Sequence, residues 1–284
     1  MRILVTIALV LSLAEIGAQP AAHLIRVSDN QFQQVLAPYL ATRSNQASSL
    51  PMTSTFLQKL ERKRIQEADD IRFLQWMFSY THKSFLHEYK EFAAFDELFS
   101  TRQYNCLTAT IFLSTLLDHF QIAHQVIETN YHIFITVRTP NGSILMETTD
   151  SLNGFIKEPK LIEERLERYR ENALHKSEAD TDLAYYRYGF SRFDAVQPHE
   201  LLGLLYYNLA AEAFNQNDLP ASVKYLEQAA ARYTSPRIIE FSTILLVAVH
   251  ESQLQQGARM SLKKTLQSIR YQALPVANAS ASGF

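Results

Sequence analysis

Apolar residues recur mostly every three or four positions between residues 53 and 92, and this spacing predicts amphipathic helices. Seven residues follow it: Phe56, Leu60, Ile65, Ile71, Leu74, Met77 and Phe78. The polar stretch "EADD" interrupts the pattern, and Asp69 or Asp70 is placed to cap a second helix. We therefore predict two helices, preceded by a weakly patterned N-terminal segment (residues 19–52) that includes the loop-like stretch "SNQASSLP".

The next predicted helix is apolar on nearly every side, so we expect it to be buried. It follows the polar stretch "RQYN", and its apolar positions are Leu107, Ala109, Ile111, Phe112, Leu113, Leu116, Leu117 and Phe120. Cys106, the only cysteine of the chain, lies in its first turn.

After this helix the pattern changes to alternating polar and apolar positions. The stretches "AHQVIET", "YHIFITVR" and "SILMETT" are short and rich in β-branched residues, which predicts strands. Asn141 and Gly142 separate the last two stretches, and this pair between alternating segments is a strong hairpin signal. The fold class that we predict is therefore α+β, with the helix of Cys106 packed on a small antiparallel sheet.

The chain beyond Asp150 turns polar and then helical again. The charged stretch "KEPKLIEERLERYRENALHKSEADTD" predicts a solvated helix face, and an aromatic patch, "YYRYGFSRF", follows it. Residues 208–236 resemble one tetratricopeptide repeat, with Asn217 in place of the usual turn glycine. Its small or apolar packing positions are Leu209, Ala210, Ala213, Ser222, Leu226 and Ala229. A second helical unit, residues 237–270, has little of the motif. Such repeats need about three units to be stable alone, so we expect them to dock on the main domain.

The N-terminus has the pattern of a cleaved secretory signal, predicted over residues 1–18. Arg2 precedes the apolar run "ILVTIALVLSLA", and small residues follow. This run is short of the roughly 20 residues that span a bilayer, although an uncleaved anchor is the alternative. We therefore expect a secreted or periplasmic protein without a stable membrane span after signal removal. The domains predicted are a main domain (53–200), a helical region (201–273) and a disordered tail (274–284).

Charge and cysteine content narrow the function classes. A net charge of -2 gives no electrostatic footprint for nucleic acid, so we expect no nucleic-acid partner. With 17 Phe, 14 Tyr and only 7 Gly, the composition favours a helical, well-packed chain. One cysteine cannot form an internal disulfide, and a single cysteine in an exported protein suggests a reactive thiol or an intermolecular bridge. A buried cysteine that acts as a small hydrophobic residue is the alternative.

Cys106 has a sequence context that suits nucleophilic chemistry. A helix N-terminus and a neighbouring imidazolium both favour the thiolate form of a cysteine. His132 begins the strand "HIFITV" and can supply that imidazole, whereas His124 begins the previous strand. His119 lies at the far end of the cysteine helix, about 20 Å away by helix rise. A structural role for a strand histidine is the competing interpretation.

The acid that would orient His132 depends on the hairpin register. A two-residue Asn141–Gly142 loop pairs Thr136 with Glu147, too far along the strand for contact. A loop of residues 139–142 pairs Phe134 with Glu147, which then lies diagonal to His132. A three-residue loop places Asp150 opposite His132. Periodicity leaves these registers open, along with Glu147 as an ordinary strand residue.

The order of three motifs resembles the transglutaminase-like superfamily of papain-type folds. The matching stretches are "YNCLTAT", "YHIFITV" and "LMETTD", which are similar to that superfamily's Cys, His and Asp-Pro-Thr motifs. The resemblance covers residues 70–155. The combination of this part with the repeat-like residues 204–236 also resembles a bacterial subgroup of the superfamily that has C-terminal tetratricopeptide-like helices. It implies Glu147 as the acid. Glu147 replaces the usual Asp and Thr148 the usual Pro.

The resemblance implies an exported thiol enzyme that hydrolyses or transfers acyl groups of peptide amides through Cys106, His132 and Glu147. The oxyanion would be held by the Cys106 backbone N–H and a second donor, for which Gln103, Tyr104 and Asn105 are candidates. Nothing in the sequence calls for a metal or a cofactor. The alternative is an inactive scaffold whose helices bind peptides or proteins. In either case we expect a peptide or protein substrate or ligand, and a protein partner on the C-terminal helices.

Overall fold

The computed structural model describes residues 29–43, 51–129, 132–140, 142–179 and 193–281. The predicted signal sequence lies outside these residues, as does all of the aromatic patch "YYRYGFSRF" except Phe193.

Three helices open the described chain: α1 (Asp29–Leu40), α2 (Pro51–Gln66) and α3 (Asp70–Phe85). The predicted break between α2 and α3 is confirmed, and the Asp69 carboxylate caps α3 by accepting the Arg72 N–H at 3.1 Å. Helix α1 was missed, because we expected only a weakly patterned segment there. Its Phe32, Leu36 and Leu40 recur every fourth position and are all buried, so they form one apolar face towards the core.

Helix α5 (Cys106–His119) forms the centre of the molecule. A short segment with β1 (Glu88–Tyr89), α4 (Glu97–Ser100) and β2 (Gln103–Tyr104) precedes it, and β1 and β2 pair in parallel. Every residue of α5 from Leu107 to Leu117 is buried, which confirms the predicted buried helix. Phe112 packs edge-to-face on Phe85 and Phe99, each with 5.3 Å between ring centroids.

Five strands among the described residues form an antiparallel sheet in the order β6-β5-β4-β3-β7. Their bounds, with the helix α6 that precedes β7, are β3 (His124–Thr129), β4 (Ile133–Thr139), β5 (Gly142–Met146), β6 (Phe155–Ile156), α6 (Pro159–Ala179) and β7 (Phe193–Val196). The side chains of Ile133, Ile135 and Val137 join the core that contains α5. Phe134 and Leu145 project to the other face, where they meet α6. The α+β class with an antiparallel sheet is thus confirmed.

The register of the β4–β5 hairpin runs from Thr139↔Gly142 to Ile135↔Met146. Continued by one residue, it places Glu147 opposite Phe134, as in the second of the three registers considered. The other two registers are wrong because Gly142 already belongs to β5. Its φ of +127° is open to glycine and strained for other residues.

Four helices form the C-terminal region: α7 (Leu201–Asn215), α8 (Leu219–Ala230), α9 (Pro236–Glu251) and α10 (Gln256–Ala281). The six predicted packing positions of the first pair are all buried, and the Ser222 hydroxyl donates to Ala210 O at 2.8 Å. Asn217 has a φ of +58° at the turn, where a glycine was expected. Asparagine is among the few other residue types that adopt this conformation readily.

The C-terminal helices share one hydrophobic core with the main domain. This core includes Phe32 of α1, Leu113 of α5, Leu226 of α8 and Ile269 of α10. The expected docking of the helices on the main domain is therefore confirmed. The tail predicted as disordered begins at residue 274, whereas helix α10 continues as far as Ala281.

Candidate active site

Asn105 places Cys106 at the start of α5 through a capping box. Its side-chain oxygen accepts the Thr108 N–H at 2.9 Å, and the Thr108 hydroxyl accepts the Asn105 N–H at 2.9 Å. The Asn105 amide also donates to Glu91 O at 2.9 Å and to Ala93 O at 3.3 Å. Cys106 is therefore held, half-buried, at the positive end of the helix dipole.

His132 brings the predicted residues together. It lies one residue before β4, and its Nε2 contacts Glu147 Oε2 at 2.5 Å. Cys106 is the other neighbour of the ring, since a hydrogen bond to Cys106 and the charge of Cys106 both raise the pKa of His132. With Nε2 taken by the carboxylate, Nδ1 is left for the thiol. The three residues thus form a Cys–His–acid chain of contacts.

The end of the sheet makes this meeting geometrically feasible. The His132 ring lies on the α6 side, with its centroid 5.2 Å from that of Tyr169, whereas α5 packs on the opposite face. Cys106 and His132 nevertheless meet, because the thiol is at the first residue of α5 and the imidazole lies beyond the end of β4.

Glu147 is buried and accepts several hydrogen bonds. It follows the last residue of β5 and is only 3% exposed. Its Oε1 accepts the Thr149 N–H at 3.0 Å and the Thr149 hydroxyl at 2.6 Å. Its Oε2 accepts the Tyr169 hydroxyl as well as His132. These donors compensate for the loss of water around the carboxylate.

The charges of His132 and Glu147 support each other. Burial lowers the pKa of His132, but hydrogen bonds to Cys106 and Glu147 and the negative charges of both outweigh burial and raise it to about 10. Burial raises the pKa of Glu147, but the hydrogen bond and charge of His132, with Thr149 and Tyr169, lower it to about 2. The pair is therefore an imidazolium and a carboxylate at neutral pH.

Sequence analysis missed Tyr169, which lies within the charged stretch interpreted as a solvated face. Burial first, and then the charge and hydrogen bond of Glu147, raise the pKa of Tyr169, so its hydroxyl stays protonated and donates. The signal was present, since Ile162, Leu166 and Tyr169 share one helical face at steps of four and three.

The segment after Glu147 is tied to both neighbouring helices. The Thr148 hydroxyl donates to Cys106 O at 3.3 Å and contacts the Thr110 hydroxyl at 3.2 Å. His82 of α3, which sequence analysis also missed, contacts Thr148 O through Nε2 at 3.0 Å. Thr148 thus supplies a bond to the cysteine helix.

The other candidate residues have structural partners. Asp150 Oδ1 accepts the Asn153 N–H at 2.8 Å, and Oδ2 pairs with Arg165 at 3.4 Å, so Glu147 rather than Asp150 meets the imidazole. The Gln103 amide donates to Glu88 at 3.0 Å.

The Asn105 side chain supplies no evident second oxyanion donor, whereas Tyr104 stays a candidate. The Asn105 amide is engaged by the two carbonyls described above. Tyr104 is buried, and its carbonyl accepts the Lys90 N–H at 2.8 Å. The Cys106 N–H belongs to the first turn of α5, whose N–H groups have no partner within the helix.

The two competing histidines lie at the far end of α5. His124 contacts the Ser114 hydroxyl through Nε2 at 2.7 Å and Ile122 O through Nδ1 at 3.0 Å. His119 lies 3.4 Å from a carboxylate oxygen of Glu61. His132 is therefore the histidine that the structure brings to Cys106.

Comparison with known proteins identifies no relative. No family model matches the chain, and no curated protein or solved structure is significantly similar to it. Within the described ranges, no group of three or more His, Cys, Asp or Glu side chains could hold a metal ion. None of the helices in the same ranges combines the length and apolar character needed to cross a bilayer.

Proposed function

We propose that this protein is a thiol enzyme that hydrolyses or transfers acyl groups of peptide amides. One observation carries the proposal: the imidazole of His132 contacts the buried carboxylate of Glu147, and Cys106 raises the pKa of the same ring through a hydrogen bond and its charge. Nucleophilic cysteines need a base within hydrogen-bond reach and a third group that orients that base. Cys106, His132 and Glu147 have these relationships.

The chemistry would proceed through a thioester. Cys106 Sγ attacks the amide carbonyl carbon, and the Cys106 N–H stabilises the negative oxygen that forms. The C–N bond then breaks as the His132 imidazolium gives its proton to the departing nitrogen. Water, deprotonated by His132, attacks the thioester, and the C–S bond breaks to release the acid and regenerate the thiolate–imidazolium pair. A primary amine in place of water gives acyl transfer.

We also propose that the architecture is a papain-type core followed by a tetratricopeptide-like pair of helices. Support comes from the order of cysteine helix, histidine strand and acid, and from the close Ala210–Ser222 contact between α7 and α8. A peptide or protein substrate, a protein partner on the C-terminal helices, and secretion or a periplasmic location belong to the same proposal.

The sole cysteine allows a direct test. Iodoacetamide labels thiolates, and in this chain its covalent label reports on Cys106 alone. At pH 6 we expect the folded protein to react faster than N-acetylcysteine, and we expect His132→Ala to lose that advantage. His124→Ala is the matched control, because His124 contacts α5 at Ser114, away from the thiol.

Turnover is tested separately with a mixed library of peptide amides, followed by mass spectrometry with and without added primary amine. Cleaved or aminated products are expected from the wild type and not from Cys106→Ala. If the thiol reacts no faster than N-acetylcysteine and Cys106→Ala changes no product, the enzyme proposal is wrong. The inactive scaffold with peptide-binding helices then becomes the better interpretation.

A further inference from the structure

A buried ion pair joins the C-terminal helices to the sheet. Arg237, in the first turn of α9, donates from Nη1 to Oε1 of Glu128 in β3 at 2.6 Å. The other oxygen of Glu128 accepts the Tyr233 hydroxyl at 2.6 Å. Arg237 is 7% exposed and Glu128 is 2% exposed. Removing both charges from water is costly, so the burial of this pair does not by itself indicate a gain in stability.

The same guanidinium continues towards the candidate active site. The second terminal nitrogen of Arg237, Nη2, donates to Thr129 O at 3.0 Å. Thr129 in turn is bonded to His132 in both directions, since the Thr129 N–H donates to His132 O at 2.7 Å and the His132 N–H donates to the Thr129 hydroxyl at 3.0 Å. Thr129 thus connects Arg237 of α9 to the backbone of His132.

The guanidinium suits this task because it is planar and rigid. It presents donors in a fixed fork, and here two of its nitrogens contact a side chain and a backbone carbonyl of adjacent residues on one strand. A displacement of α9 would therefore be transmitted to the Thr129–His132 connection. A lysine could keep the charge but could not reproduce both contacts in the same geometry.

We propose that Arg237 and Glu128 are positioning residues of the Cys106–His132 site, so that the C-terminal helices form part of the catalytic apparatus. This inference rests on the proposed function. A ligand or partner that moved α9 would alter the reactivity of the thiol without touching it.

The structure offers a matched control. Arg43, just after α1, pairs with Glu212 of α7, and so also joins the N-terminal part of the chain to the C-terminal helices. Within the described chain this pair also contacts Phe92, Glu97 and Gln216, none of which belongs to the Thr129–His132 connection. Glu212→Gln therefore weakens another ion pair of the C-terminal helices and leaves the proposed route intact.

The test measures the iodoacetamide reaction of Cys106 from pH 5 to pH 9, together with the thermal unfolding midpoint. The variants are the double change Glu128→Gln with Arg237→Met, which avoids leaving a buried charge unpaired, and the single changes Arg237→Lys and Thr129→Val. At pH 6.5 we expect the double variant to react roughly tenfold more slowly than the wild type, as a displaced base would cause. Its pH profile should move towards that of N-acetylcysteine.

Arg237→Lys should react at a rate between those of the double variant and the wild type. Thr129→Val should shift the pH profile in the same direction as the double variant. Glu212→Gln should match the wild type in both rate and pH profile. A lower unfolding midpoint with an unchanged pH profile would show that the pair is only structural, and the inference would fail. If the double variant does not fold, Arg237→Lys and Thr129→Val decide the matter on the same criteria.

His132→Ala separates this inference from the proposed function. Loss of reactivity in His132→Ala with a wild-type profile in the folded positioning variants overturns the inference and leaves the proposed function standing. A wild-type profile in His132→Ala overturns both. Loss of reactivity in His132→Ala and in the positioning variants, but not in Glu212→Gln, supports both.

Discussion

At the scale of single residues, the His132–Glu147 pair couples stability to pH. The pKa of His132 is raised from 6.5 to about 10, so its contribution to stability is complete below pH 6.5 and is lost as the pH rises through about 10. The pKa of Glu147 is lowered from 4.5 to about 2, so its contribution is complete above pH 4.5 and is lost as the pH falls through about 2.

We therefore predict that the pair contributes most between pH 4.5 and pH 6.5. Urea unfolding at a series of pH values, for the wild type and for a chain with both His132→Ala and Glu147→Gln, measures this contribution. The difference in unfolding free energy between the two chains should shrink towards both pH extremes. A difference that is independent of pH would contradict the assigned charges.

Tyr169 allows the hydroxyl and the ring to be tested separately. Tyr169→Phe keeps the packing on Phe134, whose ring centroid is 5.0 Å away, but removes the donor to Glu147. We expect a loss of about 1–3 kcal/mol, because one hydrogen bond to a buried charge disappears. The acid limb of the stability profile should also move to higher pH.

Thermal and urea unfolding of Tyr169→Phe, with Tyr271→Phe as the control, check this prediction. Tyr271 is 80% exposed on α10, so its change should leave both quantities as they are. An unaltered acid limb in Tyr169→Phe would mean that the hydroxyl does not support the carboxylate.

At the scale of elements, α1 is integral to the fold. Sequence analysis assigned its residues to a weakly patterned segment, whereas Leu36 is fully buried beside the helices of the core. The neighbouring Val35 is 49% exposed. Adjacent positions on one helix therefore lie in opposite environments.

This contrast predicts that truncating Leu36 and truncating Val35 change the free energy of unfolding by different amounts. Leu36→Ala should lower the free energy of unfolding by about 2–5 kcal/mol, because it removes buried methyl groups and leaves a cavity. Val35→Ala should change it by no more than about 0.5 kcal/mol. Urea unfolding measures both, and equal effects would show that α1 does not pack as described.

At the scale of the whole molecule, α7 packs closely against the chain that follows α8, at Gly203 and Tyr233. A Cβ atom on Gly203 would lie 2.6 Å from Tyr233 Cβ and 2.8 Å from Tyr233 N. Tyr233 also donates to Glu128 of β3. The space at Gly203 thus affects both the helical packing and the link to the sheet.

Gly203→Ala should therefore destabilise the protein by about 1–3 kcal/mol through overpacking. Gly257→Ala is the control, since a Cβ on Gly257 would meet no atom within 4 Å, and alanine is favoured over glycine in a helix. Thermal unfolding of the two variants makes the comparison. A Gly203→Ala protein as stable as the wild type would show that the two segments can separate at little cost.

The sequence by itself determined the order of the central elements, the buried cysteine helix, a helix cap at Asp69 or Asp70, and the packing positions of α7 and α8. These features follow from local periodicity and capping chemistry, which a linear pattern records directly. It also indicated Cys106, His132 and Glu147 as candidates, but left the hairpin register open.

Only the tertiary structure decided the register, the contacts of Tyr169 and His82 with the site, and the link from Arg237 through Thr129 to His132. These depend on which distant segments meet, and periodicity shows which face of an element is apolar but not which partner covers it. Glu128 and Arg237 are separated by 109 positions in the chain. A charged residue at either position resembles an ordinary surface residue until the fold buries it against the other.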